Sequence, residues 1–204
     1  MSETVTVYFD YLCPFAWRGA EVATQVAEPL GLKFKWQHFS LYQSNNKTNG
    51  WQLWNETIDP CDESGTKGLL PFLASCSARR QGRELYDAFR LGVLRARHRD
   101  CLPLSLETLT KIAQQSNLNM TEFEKELNNP EVRTRIAQEH HTATSLGVFG
   151  TPTFHFETNH LAYFRISQLP HNVEEAVSLF SDYRRLLETY PYLETIKRPR
   201  PERN

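Results

Sequence analysis

Tyr8-Phe9-Asp10-Tyr11-Leu12-Cys13-Pro14-Phe15-Ala16-Trp17 carries a short apolar run into a thiol and then a proline. Proline suits the first position of a helix, where its missing N–H has no intrahelical partner to lose. The stretch therefore predicts a helix N-terminus at Cys13, with Pro14 as the first helical residue. Unpaired N–H groups and the helix dipole favour a thiolate at such a place. An ordinary thiol of pKa ~8.5 is about 3% ionised at pH 7, and one lowered to roughly 6 is about 90% ionised. Nucleophilicity falls with pKa, so the larger benefit goes to Cys13 as a leaving group from a mixed disulfide. The pattern thus predicts an activated, accessible Cys13; the other reading of the same residue is a small buried hydrophobe at a strand end.

Upstream, Val5, Val7 and Phe9 alternate with Thr4, Thr6 and Tyr8, which predicts a strand leading into the thiol. Downstream, Phe15, Trp17, Ala20, Ala23, Val26 and Ala27 recur near helical spacing from Pro14 to Glu28, and Pro29-Leu30-Gly31 stops the helix. Leu32, Phe34 and Trp36 then alternate with Lys33, Lys35 and Gln37 as a second strand. Strand, helix and strand make a βαβ unit, with parallel strands and a right-handed connection. Its thiol lies beyond the carboxyl end of the first strand, where open α/β sheets place their chemistry.

From Leu41 the character changes: residues 44–50 and 59–68 read as polar loops, and the rest of the middle reads as helical. Arg83 to Arg97 and Ser105 to Ser116 carry amphipathic spacing. Thr121 to Leu127 has Thr121 as N-cap with Glu124 completing a capping box. Pro130 to Leu146 is a further helix, ended by Gly147. After Gly147 a Gly150-Thr151-Pro152 turn precedes a short β run, Leu161 to Ile166 can pair back on it, and Val173 to Leu187 closes the chain as an amphipathic helix. The basic, proline-rich tail from Lys197 reads as a solvated end.

Two hundred and four residues with a formal net charge of −1 argue against a general nucleic-acid or acidic-membrane binder. No apolar run reaches the length of a membrane span, and Met1-Ser2-Glu3-Thr4 lacks the features of a signal peptide, so cytoplasmic residence is the expectation. The four cysteines, Cys13, Cys61, Cys76 and Cys101, form no Cys-x-x-Cys and have no histidine at zinc-finger spacing. They read as thiols, with no metal site; His140 and His141, adjacent on one helix, do not face each other as a ligand pair would. His38 reads as a strand-end residue of no special role.

The order β-α-β, long helical insertion, Thr-Pro-β-β-α, together with a strand-end Cys-Pro-x-x, resembles the DsbA-like branch of the thioredoxin fold. Phe9-Asp10-Tyr11-Leu12-Cys13-Pro14-Phe15-Ala16-Trp17 resembles that family's redox motif, and Gly147-Val148-Phe149-Gly150-Thr151-Pro152-Thr153-Phe154 resembles its Gly-Val/Thr-Pro loop. The likeness is greatest to FrnE-type proteins, with 2-hydroxychromene-2-carboxylate isomerases and kappa-class glutathione transferases nearby. It implies an α/β, thioredoxin-like domain of residues 1–45 and 145–204, interrupted by a helical domain of residues 46–144. It further implies a cis peptide bond before Pro152, a Thr151 backbone that pairs with extended substrate, and a substrate surface of Pro14, Phe15, Ala16, Thr151 and Pro152 around catalytic Cys13.

One departure matters: related oxidoreductases carry a second cysteine where this chain has Ala16, and the transferase and isomerase relatives carry serine where it has Cys13. Alanine cannot attack sulfur, so the internal dithiol cycle is closed at this motif. The expectation is a single-thiol oxidoreductase with no covalently bound cofactor, resolved by glutathione or another low-molecular-weight thiol as co-substrate, or by Cys61. Partners would be protein or small-molecule disulfides or thiols, and the chain a monomer or homodimer. A glutathione-dependent transferase or isomerase acting on an aromatic small molecule, and a non-catalytic peptide-binding or redox-sensing module, are the alternatives. Cys76 and Cys101 read as packing residues, Arg18 as a solvated helix arginine able to steady a thiolate, and Trp51, Trp54 and Tyr86 as core or as the lining of a pocket over Cys13.

Overall fold

The structure, a computed structural model, describes residues 2–59, 62 and 65–199. Strand β1 (Glu3–Phe9), helix α1 (Pro14–Val26) and strand β2 (Leu32–His38) form the βαβ unit. β1 and β2 pair in parallel, with Val5 opposite Phe34 and Val7 opposite Trp36. Along β2 the side chains of Leu32, Phe34, Trp36 and His38 are buried while Lys33 and Lys35 face out, as the two-residue pleat requires. β1 is buried more evenly because it is central: it also pairs antiparallel with β3 (Thr153–His155), which pairs antiparallel with β4 (Leu161–Tyr163). The sheet order is β2-β1-β3-β4. β3 thereby sets the residues that precede it, Gly150 to Pro152, beside the end of β1.

Between β2 and β3 the chain runs through α2 (Leu41–Asn45), a short 3-10 turn (Leu53–Asn55), α3 (Leu69–Arg80), α4 (Arg83–His98), α5 (Leu106–Gln115), α6 (Met120–Leu127) and α7 (Pro130–Ser145). Helix α8 (Val173–Thr189) follows β4. Several starts are side-chain capped: the Ser105 hydroxyl accepts from Thr108 N–H, and the Asn129 amide oxygen accepts from Glu131 N–H ahead of Pro130. α6 begins earlier than the capping box at Thr121 predicts. Asn119 takes the extended cap conformation and accepts from Glu122 N–H, so Thr121 lies inside the helix.

α1 packs against α4 and α8, and α7 against β2. One continuous cluster of buried side chains joins the sheet, α1 and α8 to the helices between β2 and β3. The closest approach of α1 to the loop before β3 falls at Gly19. A Cβ there would lie 2.5 Å from Pro152 Cγ, so only the bare backbone fits.

Candidate active site

Cys13 is the N-cap of α1, with extended backbone, and its own carbonyl accepts from the N–H groups of Ala16 and Trp17. The loop that delivers it is tied by Asp10. One carboxylate oxygen accepts from Leu12 N–H at 2.9 Å, the other from Leu41 N–H at 2.7 Å, and the Asp10 carbonyl accepts from Cys13 N–H at 3.1 Å. Asp10 is buried, and that burial pushes its carboxyl up to about 6 against the pull of the two N–H groups. The folded chain therefore holds this proton more tightly than the unfolded chain does. Stability from it is present at low pH and is lost as pH rises through about 6.

The Cys13 thiol points at the other quoted stretch: Sγ donates to the Thr151 carbonyl at 3.2 Å, across 138 residues of sequence. The Thr151–Pro152 peptide bond is cis. Thr151 is itself buried, its hydroxyl without a hydrogen-bond partner, while Thr153 Oγ1 donates to Gly150 O and Phe164 N–H to Pro152 O, fixing the loop on β3 and β4.

This geometry overturns the expected ionisation of Cys13. The residue is only 5% exposed, and burial raises its thiol above the ordinary value, with the nearby Asp10 carboxylate adding to the rise. The Thr151 side chain, and after it the amides of Ala16 and Phe15, pull the other way, but no cap hydrogen bond reaches the sulfur and burial outweighs them. The contact to Thr151 keeps the proton in place, because a thiolate has none to donate and would face the negative end of a carbonyl. At pH 7 the resting site holds a thiol. Alkylation of Cys13 by iodoacetamide, followed by peptide mass, is expected to have its pH midpoint above that of a free thiol. Asp10→Asn removes a negative charge that disfavours the thiolate, so it shifts that midpoint down; an unchanged midpoint would mean that the carboxylate has no hold on the sulfur.

Other residues singled out in the sequence fall in different places. Pro14 is exposed and Phe15 half-buried beside Cys13, whereas Ala16 is fully buried. Cys61 lies outside the described residues. Cys76 is buried beside His38, and burial pushes its thiol up to about 12. Cys101, read as a packing residue, is exposed instead, at a left-handed backbone position just past the end of α4. Trp54 and Tyr86 are core; Trp51 is half-buried, its indole N–H on Glu56. Arg18 turns over the rings of Phe15 and Trp17.

His38 is more than a strand-end residue. Its imidazole is fully buried; Nδ1–H donates to Glu139 at 2.8 Å, and Nε2 meets the Ser75 hydroxyl at 2.9 Å, to which Tyr11 OH also donates. Burial keeps the ring neutral, so Ser75 donates to Nε2 and the chain of hydrogen bonds closes without a stray proton. Glu139 takes its counter-charge from Arg79 and also accepts from the His38 backbone N–H. At the other end, His98 Nε2 donates to the Tyr11 carbonyl at 2.8 Å. The residue two before Cys13 is thus pinned from both sides by the helices between β2 and β3. Sequence reading missed this, Gly19 and Arg165. The signal for Gly19 was available: glycine within a helix costs about 1 kcal/mol against alanine and marks a close approach.

The model of the DSBA-like thioredoxin domain matches residues 4–64 and 80–176. No curated protein matches the chain. Among solved structures, a thioredoxin-like oxidoreductase from Silicibacter pomeroyi DSS-3 is 22% identical over 91% of this chain and 87% of its own, with a TM-score of 0.57. A 2-hydroxychromene-2-carboxylate isomerase is 18% identical over 94% of this chain and 100% of its own, at 0.61. The cytosolic disulfide reductase DsbM from Pseudomonas aeruginosa, solved with GSH, is 18% identical over 93% and 100%, at 0.58. Identities this low speak to the fold alone; the domain match covers most of the sequence and both stretches around the thiol, so the chain belongs to the DSBA-like thioredoxin domain family.

Proposed function

We propose that this protein is a thiol–disulfide oxidoreductase working through Cys13 alone. The observation that carries the reading is the contact of Cys13 Sγ with the Thr151 carbonyl, at the start of a helix whose next-turn position is Ala16. Pro14 and Phe15, with the Thr151–Pro152 backbone, form the surface against which a substrate lies, and the buried Ala16 lies beneath it. A substrate N–H that donates to Thr151 O replaces the Cys13 S–H there. The freed sulfur loses its proton and turns toward the amides of Phe15 and Ala16 as thiolate. It attacks one sulfur of the disulfide R–S–S–R, forming Cys13–S–S–R and releasing R–S⁻, which takes up the proton. A second thiol, glutathione or a similar small molecule, attacks the mixed disulfide and returns Cys13 with formation of R–S–S–G. The cycle needs a reducing thiol pool and so fits a cytoplasmic setting.

Glutathione-driven reduction of bis(2-hydroxyethyl) disulfide tests this. Cys13→Ser is expected to bring the rate to the uncatalysed level, and a trapped mixed disulfide is expected at Cys13 in the parent protein. Full activity in Cys13→Ser would end the proposal. One observation favours a second reading: Cys13 rests as a hydrogen-bond donor, not as a thiolate. In a glutathione-dependent transferase or isomerase that S–H would stand where relatives have a serine hydroxyl and would donate to the cofactor sulfur. Conjugation of an aromatic electrophile that survives Cys13→Ser identifies this case.

A further inference from the structure

Most arginines of the folded body hold a carboxylate, as Arg95 holds Glu21 and Arg184 holds Glu3. Among the described residues up to the end of α8, three arginine side chains have neither an ion pair nor a hydrogen bond: Arg18, Arg97 and Arg165. Two of them, Arg18 from α1 and Arg165 from the segment after β4, meet over the ring of Phe15, two residues beyond Cys13. The Arg165 guanidinium sits 4.0 Å from the centre of the Phe15 ring, and that of Arg18 sits 5.5 Å from the same ring. Trp17, under Arg18, stacks on His98, the residue that donates to the Tyr11 carbonyl. Burial lowers the pKa of that imidazole, and the Arg97 and Arg18 charges add to the fall against the pull of the Tyr11 carbonyl.

Two like charges over one ring repel each other, and apart from the contacts with Phe15 and Trp17 the fold gives them no partner. Asp10, the acid beside Cys13, is not paired with them: its two oxygens accept from the N–H groups of Leu12 and Leu41. Phe15, two residues beyond the thiol, holds both guanidinium groups over its ring. Cys13 is only 5% exposed, which admits a small molecule more readily than the face of a folded protein.

We infer that Arg18 and Arg165 form a recognition rim for small disulfides and thiols that carry carboxylates. The inference rests on Cys13 being the reacting thiol. The chemistry is the exchange already written, with carboxylates on R; the rim neutralises their charge and raises their local concentration.

The test is the rate of mixed-disulfide formation at Cys13, read by peptide mass, with three probes of equal reach: 3,3′-dithiodipropionate, bis(2-hydroxyethyl) disulfide and cystamine. The dianion is expected to react fastest and the dication slowest. Arg18→Gln and Arg165→Gln are each expected to lower the ratio of dianion to neutral rates about threefold to tenfold. Raising salt from about 0.02 to about 0.5 M shrinks the same ratio in the parent protein. An equal fall for all three probes, or no fall, overturns the rim while leaving Cys13 as the reacting thiol. No reaction at Cys13 with any probe overturns the oxidoreductase reading, and the rim with it.

Discussion

Ala16→Cys is expected to release the mixed-disulfide partner of Cys13 without added thiol, about a hundredfold or more faster than roughly 1 mM external thiol does. Positioned groups reach effective concentrations far above millimolar, and an internal thiol one helical turn on is positioned in that sense. Ala16 is fully buried, so the added sulfur costs about 1–3 kcal/mol of stability by overpacking. Quenching at timed intervals and weighing the protein measures the release. Should the mixed disulfide in the variant persist as long as in the parent protein, something other than Ala16 enforces the single-thiol cycle.

Glu139→Ala is expected to remove about 3–5 kcal/mol of stability, the cost of leaving a buried partner without its counter-charge. Arg79 loses its carboxylate, and both the ring and the backbone N–H of His38 lose their acceptor in the core. Chemical denaturation monitored by tryptophan fluorescence measures it; a loss under about 1 kcal/mol would show that the network closes through other groups. The acid limb carries the same signature. Burial pushes the Glu139 carboxyl up, but His38 and Arg79 outweigh it, so the carboxyl stays well below its ordinary value of 4.5. The stability this contributes is present above about pH 4.5 and is lost as pH falls below it. Glu139→Gln, which has no charge to lose, is expected to flatten that acid limb.

The elements that the sequence showed clearly are those with one wet face. β2 alternates lysine with aromatic residues and forms where expected, and α4 and α5 follow their apolar stripes. α3 had no such stripe, since every residue from Leu69 to Ala78 is buried and periodicity has nothing to contrast. The site divides in the same way. The two stretches that meet, around Cys13 and around Thr151, stand out by local chemistry. The ionisation of Cys13 does not, because it depends on a carbonyl 138 residues away and on burial supplied by the whole fold. The His38–Glu139 pair is likewise 101 residues apart in sequence, and an isolated histidine at a strand end gives no sign of it.

Gly19 faces the proline ring with a hydrogen where other residues carry carbon. The reach of the sulfur toward its acceptor is therefore gauged by a notch in the helix, and even a methyl group set into that notch would act as a wedge between the two halves of the reactive centre.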